Sequence, residues 1–179
     1  MVSKKGGSIH LASGRTFFFS MLGVVVSALI ISILKNNLFL LLVSVFSLYL
    51  TYAGWRSSRN KSQHPNWLDW TLLIIAAFAG GFMIYTLNII LTVFGAMLLY
   101  LTIQDARMFV KVLTKQEIDP KTWLLRHLGM MMGSYISTLT AFLVVNVNSF
   151  SPAWLIWLAP TFIGVPIIVI FSYGVKKGL

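Results

Sequence analysis

The chain has 179 residues and a net charge of +10; 58% of its residues are apolar and only 10% are charged. A soluble domain carries about 25% charged residues, so this composition excludes an ordinary soluble protein and indicates an integral membrane protein. Cysteine is absent. That excludes disulfides, cysteine-ligated zinc, iron–sulfur clusters and covalently attached haem, but leaves haem or metal held by histidine open. We expect a single transmembrane domain over residues 1–179, without a separate soluble domain.

Six apolar segments are long enough to cross a membrane, which takes about 20 residues in helical form. The run from 70 to 102 is continuously apolar and would form a helix of about 50 Å, too long for a hydrocarbon core of about 30 Å. We therefore predict that it breaks near Asn88. The predicted all-α fold is a six-helix transmembrane bundle with spans at about 16–34, 38–55, 70–86, 89–104, 124–146 and 153–174.

The basic residues predict how these spans are oriented. With six spans, both termini lie on one side of the membrane together with the segments 56–69 and 105–126. That side holds 13 of the 14 lysines and arginines, and only Lys35 lies on the other side. Because lysine and arginine are enriched in cytoplasmic loops, we expect both termini in the cytoplasm. Topology and contacts with anionic lipids account for the charge of +10, so no nucleic-acid partner is expected.

The fifth span carries two stripes of small or polar residues. Small residues, which let another helix approach closely, recur at every fourth position: Gly129, Gly133, Ser137 and Ala141. At 100° per residue, Ser134 and Thr138 each lie within about 20° of His127, on a different face. Both stripes are typical of helix packing, and the polar stripe is also a candidate ligand-binding surface.

The sixth span contains Pro160, Gly164 and Pro166. Each proline removes a backbone donor, so we predict a kinked or partly unwound helix there. Interrupted helices often mark the binding site of a transporter, although a packing kink explains the same pattern. A carrier would have a polar cavity between the fifth and sixth helices, bounded by Pro160–Pro166 and open to the cytoplasm.

The ionisable residues gather at the predicted cytoplasmic boundary, which includes all three histidines and all four acidic residues. The candidate residues for a polar cluster or ligand site are His10, Arg15, Arg56, Asp69, Asp105, Arg126, His127, Ser134 and Thr138.

Three interpretations of this cluster are open. The residues can be ordinary boundary residues, in which Asp69 caps a helix start and Asp105 pairs with a nearby arginine. Alternatively, His10 and His127 hold a metal ion or a haem, together with Asp69 or Asp105. In the third interpretation, arginines and histidines bind an anionic headgroup or a small anionic substrate.

Function is open between two classes. The first is a non-enzymatic membrane subunit, accessory protein or small-solute carrier with a polar site near the cytoplasmic face. The second is a haem- or metal-binding redox protein that uses His10 and His127. No catalytic residues are assigned, since a hydrolase pair of Ser134 with His127 has no evident third member. Membrane lipids are the expected partners, and other membrane proteins or a second copy of the chain are further candidates.

Several short motifs carry a family resemblance. "HLASGR", from His10 to Arg15, fits an H-x-x-x-G-R pattern before the first helix, and "HLGMMMGSY", from His127, resembles a later H…M…SY element. With "TAFLVVN" and "WLAPTFIGVP", the chain resembles a family of small multi-span bacterial membrane proteins of unknown function. Its second element departs from the commoner form, in which an aromatic residue and methionine follow the histidine closely, so it resembles a divergent branch.

The resemblance implies a multi-span helical fold in a bacterial cytoplasmic (inner) membrane. It marks His10, Arg15 and His127 as positions of interest, and it implies no activity.

Overall fold

The computed structural model describes residues 7–146, 152 and 154–177, and these residues form six α-helices and no β-strand. The helices are α1 (Ser8–Leu34), α2 (Leu38–Arg59), α3 (Trp67–Tyr85), α4 (Ile89–Leu113), α5 (Thr122–Asn146) and α6 (Trp154–Lys177). All six are long and apolar enough to cross a membrane. The prediction of an all-helical chain with six helices of spanning length is therefore confirmed. The predicted start of the sixth span, at 153, lies outside the described residues.

The long apolar run breaks at residues 86–88, where the sequence predicted a turn. The Asn88 side chain accepts hydrogen bonds from the backbone N–H groups of Ile90 and Leu91, at 3.1 and 3.2 Å, and so caps the start of α4. Leu87 adopts a left-handed conformation with φ of 55°. A capping residue and one left-handed residue are enough to reverse the chain between two antiparallel helices.

Helix α2 is the centre of the bundle and packs against α1, α3, α4 and α5. Its contacts with α5 run in opposite directions along the two chains, from Ser47 beside Ser137 to Thr51 beside Ser134. Helices α2 and α5 are therefore antiparallel. Phe18 of α1 stacks on Trp55 near the end of α2, with ring centroids 4.6 Å apart. Since α1 is also antiparallel to α2, α1 and α5 run parallel to each other.

One end of the bundle, which we call the basic end, holds the starts of α1, α3 and α5 and the ends of α2, α4 and α6. Nζ of Lys121, the residue before α5, donates to the Val175 carbonyl in α6 at 3.0 Å, and Nζ of Lys61 lies 4.9 Å from the ring centroid of Trp123. Among the described residues, every lysine and arginine except Lys35 lies at this end. Several helices extend there beyond the predicted spans and include polar residues of the flanking sequence.

Helix α6 is helical throughout Trp154–Lys177, with both prolines inside it. The structure therefore has no unwound segment at Pro160–Pro166, contrary to that part of the expectation. Pro160 and Gly164 are buried, whereas Pro166 is exposed. A Cβ on Gly164 would lie 2.3 Å from Cδ1 of Ile136 in α5, so this glycine serves the close packing of α5 on α6.

Glycines also bring α3 and α4 into close contact. A Cβ built on Gly95 of α4 would lie 2.7 Å from the Gly80 carbonyl oxygen and 2.8 Å from Cβ of Met83. The neighbouring Gly81 has nothing within 4 Å of its Cβ position. In a lipid environment, where apolar surface gives no net attraction between helices, such close approach supplies the packing energy.

Candidate functional site at the basic end

An ion pair between α4 and α5 lies at the heart of the basic end. The Arg126 guanidinium donates through Nε to Oδ1 of Asp105 and through Nη2 to Oδ2, both at 2.7 Å. The two side chains are only 9% and 5% exposed. Parallel double donation to a carboxylate is the strongest common form of ion pair, and it fixes both side chains in orientation as well as distance.

Helix α2 and the loop after it complete this arrangement, which we call the Arg126 network. The Tyr49 hydroxyl donates to Oδ2 of Asp105 at 2.6 Å. Nη1 of Arg126 donates to Oγ of Ser57 at 2.8 Å and to Oε1 of Gln63 at 3.2 Å. Because a buried charge is costly unless it is paired and hydrogen-bonded, these extra bonds are what makes burial of the pair tolerable.

A second pair lies between α2 and α3. Nε of Arg56 is 3.3 Å from both carboxylate oxygens of Asp69, and the Tyr52 hydroxyl donates to Oδ1 at 2.9 Å. Asp69 also forms a capping box with Asn66, in which each side chain accepts from the other's backbone N–H at 2.9 Å. Asp69 thus caps the start of α3, and a negative charge there is favoured by the helix dipole.

The predicted cluster therefore divides into two separate ion pairs. Arg56 joins Asp69, while Arg126 joins Asp105, and tyrosines from α2 bond to both carboxylates. Both acids are buried, and both of their carboxylate groups are bonded to an arginine and a tyrosine. The described residues contain no group of three or more histidine or acidic side chains suited to a metal ion.

The three histidines differ in environment. His127 is half-buried, and its Nδ1 lies 2.8 Å from the Gly54 carbonyl oxygen. A carbonyl only accepts, so Nδ1 carries the proton in this contact, and in the neutral form of such a ring Nε2 is the nitrogen with the lone pair. His10 and Arg15 are both exposed on α1, and His64 is exposed in the loop between α2 and α3.

The polar residues of α5 bond to α2 and α1. Ser134 is buried, with its hydroxyl 2.7 Å from that of Thr51. Thr138 donates to Sδ of Met21 at 2.9 Å and also reaches the Ser134 carbonyl at 3.1 Å. The hydroxyl of Ser134 is therefore directed at α2 rather than at His127, and the two do not form a nucleophile–base pair.

Sequence analysis did not single out Tyr49, Ser57 or Gln63, which complete the Arg126 network. One signal was available for α2, whose small and polar residues recur every three or four positions along one stripe: Ser44, Ser47, Thr51, Gly54 and Ser57. This is the pattern that drew attention to the fifth span. Gln63 carried no signal, because its position depends on the backbone of the loop, where its φ is 56°.

Fold and site together define an all-α bundle of six helices long and apolar enough to span a membrane, with a buried polar network at one end. Comparisons with protein-family models, with curated proteins and with solved structures found no match to this chain.

Proposed function

We propose that this chain is a multi-pass protein of a bacterial cytoplasmic membrane that acts as a non-enzymatic subunit or accessory protein. In this proposal its basic end faces the cytoplasm and binds a small ligand beside His127. Membrane lipids surround the apolar faces of the bundle.

The observation that carries the proposal is the hydrogen bonding of the two ring nitrogens of His127. In the described part of the chain, Nδ1 is held by the Gly54 carbonyl and no side chain or backbone group is bonded to Nε2. The adjacent Arg126 is held by Asp105, Ser57 and Gln63 and cannot turn toward a ligand without breaking buried bonds. A fixed imidazole with one free nitrogen, supported by a rigid neighbour, is suited to binding.

The packing of α6 disfavours the carrier form of this function. The carrier hypothesis expects a polar cavity bounded by Pro160–Pro166. Pro160, Thr161 and Gly164 are buried instead, and Gly164 lies directly against Ile136. We therefore place the ligand site where α1, α2 and α5 meet at the basic end, rather than between α5 and α6.

The proposal is tested by thermal unfolding of the purified protein in detergent with added haemin, Zn²⁺, Ni²⁺ or inorganic phosphate. A ligand that binds only the folded state stabilises it and so raises the unfolding temperature. At a ligand concentration 100 times the Kd, the free energy of unfolding increases by about 2.7 kcal/mol. We expect at least one of these probes to stabilise the wild type and to lose its effect in His127→Ala. If every probe leaves the unfolding temperature unchanged, the proposed site is wrong.

A further inference from the structure

Two contacts fix the register of α1 against α5. The Phe17 and Tyr135 rings lie with centroids 6.4 Å apart, and Thr138 donates to Sδ of Met21 at 2.9 Å. No described Cα atoms of the two helices come within 8 Å of each other. Helices α1 and α5 are thus parallel neighbours whose side chains meet across a space wider than a tight helix contact.

This register brings two histidines to similar depths. His10 precedes Met21 by 11 residues (21 − 10), and His127 precedes Thr138 by the same number (138 − 127). Eleven residues make three helical turns plus about 20°, and a rise of about 16 Å. Because the helices run parallel, this spacing places His10 and His127 at similar depths, and His10 shares the face of α1 that carries Phe17 and Met21.

The surface of α1 near His10 is open. Gly14, one turn after His10, would meet nothing within 4 Å if it carried a Cβ. The ring of His127 is oriented by its bond to the Gly54 carbonyl, which is the outer-shell contact typical of metal-ligating histidine. His10 is exposed and makes no hydrogen bond through its side chain in the described structure, so its ring nitrogens are accessible to a ligand.

We propose that His10 and His127 jointly ligate one transition-metal centre at the basic end, through an imidazole nitrogen from each ring. Imidazole binds zinc, copper, nickel and iron, including haem iron. This inference rests on the proposed function, since it names the ligand of the same site. The metal is either a free ion or the iron of a haem, and both would be coordinated by the same two imidazoles.

The test compares His10→Ala, His127→Ala and the control His64→Ala, each purified in detergent after loading with haemin or with Zn²⁺. Bound haem is measured by its visible absorption band, and bound Zn²⁺ by elemental analysis after gel filtration. We expect about one metal centre per chain in the wild type and in His64→Ala, and at least a tenfold loss of affinity in each of the other two variants. The probe that binds identifies the source of the metal.

His10→Ala is the decisive variant, because His10 is exposed and makes no side-chain hydrogen bond in the described structure, so its replacement should leave the fold intact. Added imidazole should restore binding to a His127→Gly variant, which separates loss of a ligand from misfolding. Binding that is lost in His127→Ala but retained in His10→Ala would overturn the two-histidine centre and leave the proposed function standing. A wild type that binds neither probe would overturn the inference, whereas stabilisation by phosphate through His127 would still support the proposed function.

Discussion

At the scale of single residues, the most consequential feature is a charge pair removed from solvent. Arg126 and Asp105 each lose most of their hydration in the folded protein. Their mutual attraction, three further hydrogen bonds and the rigid double contact offset that cost. A pair of this kind contributes little net stability compared with apolar residues, but removing one partner leaves the other charge buried and alone.

The Arg126→Met variant should therefore be strongly destabilised, by about 3–5 kcal/mol, because it strands the Asp105 carboxylate. Adding Asp105→Leu should recover part of the loss, since the double variant no longer buries an unpaired charge. Equilibrium unfolding in mixed detergent measures both effects. The control is Arg107→Met, which removes an exposed arginine two residues after Asp105 and should change stability by less than about 0.5 kcal/mol. Equal effects of Arg126→Met and Arg107→Met would contradict the structure.

A second residue-scale prediction concerns the turn between α3 and α4. Asn88→Ala removes a side-chain oxygen that accepts from two backbone N–H groups, so the start of α4 should be destabilised by about 1 kcal/mol. Asn88→Asp keeps an acceptor and should remain close to wild type. Hydrogen exchange of the amides of Ile90 and Leu91 measures the effect locally, and unchanged exchange in Asn88→Ala would show that this cap is not formed in solution.

At the scale of elements, sequence reasoning gave the number and approximate place of the helices but not their partners. Apolar runs of spanning length, the polar turns and the excessive length of 70–102 are local properties, and the helices follow them. Which arginine faces which aspartate depends on how α2, α4 and α5 pack. Thus Arg126 was only one of several candidate partners of Asp105, and Tyr49 was not recognised at all.

Helix α6 shows a further limit of pattern reasoning. The sequence around Pro160 and Pro166 is consistent with either an interrupted helix or a continuous one with local adjustment. The choice depends on whether neighbouring groups and packing accommodate the freed carbonyls. Here the buried side of the segment is packed through Gly164 against Ile136, and the helix continues.

Packing between elements supplies the third prediction. Gly95→Ala places a methyl group against the Gly80 carbonyl oxygen and Cβ of Met83. Both atoms are fixed by the backbone of α3, so they can move away only if α3 separates from α4. We expect a loss of about 1–3 kcal/mol, measured by unfolding in detergent. Gly81→Ala is the matched control, because its methyl group meets nothing and alanine favours a helix interior by about 1 kcal/mol. If the two variants are equally stable, α3 and α4 do not pack at this glycine.

At the scale of the whole molecule, the positive charges and the candidate site lie at the same end of the bundle. The basic end holds every described lysine and arginine except Lys35, both ion pairs and all three histidines. Positive residues favour the cytoplasmic side of a membrane during insertion, and the same end carries the buried network and the proposed metal centre. If the basic end is cytoplasmic, a ligand must reach the site from the cytoplasm or along the inner leaflet.

This orientation gives the last prediction, for which a chain without native cysteine is well suited. Lys35→Cys lies in the exposed turn between α1 and α2, and Gln116→Cys lies in the exposed loop between α4 and α5 at the basic end. In intact spheroplasts a membrane-impermeant maleimide should label Lys35→Cys but not Gln116→Cys. After permeabilisation both should react, and the cysteine-free parent should react in neither condition. Labelling of Gln116→Cys in sealed spheroplasts would invert the proposed topology and place the histidine site on the outer side of the membrane.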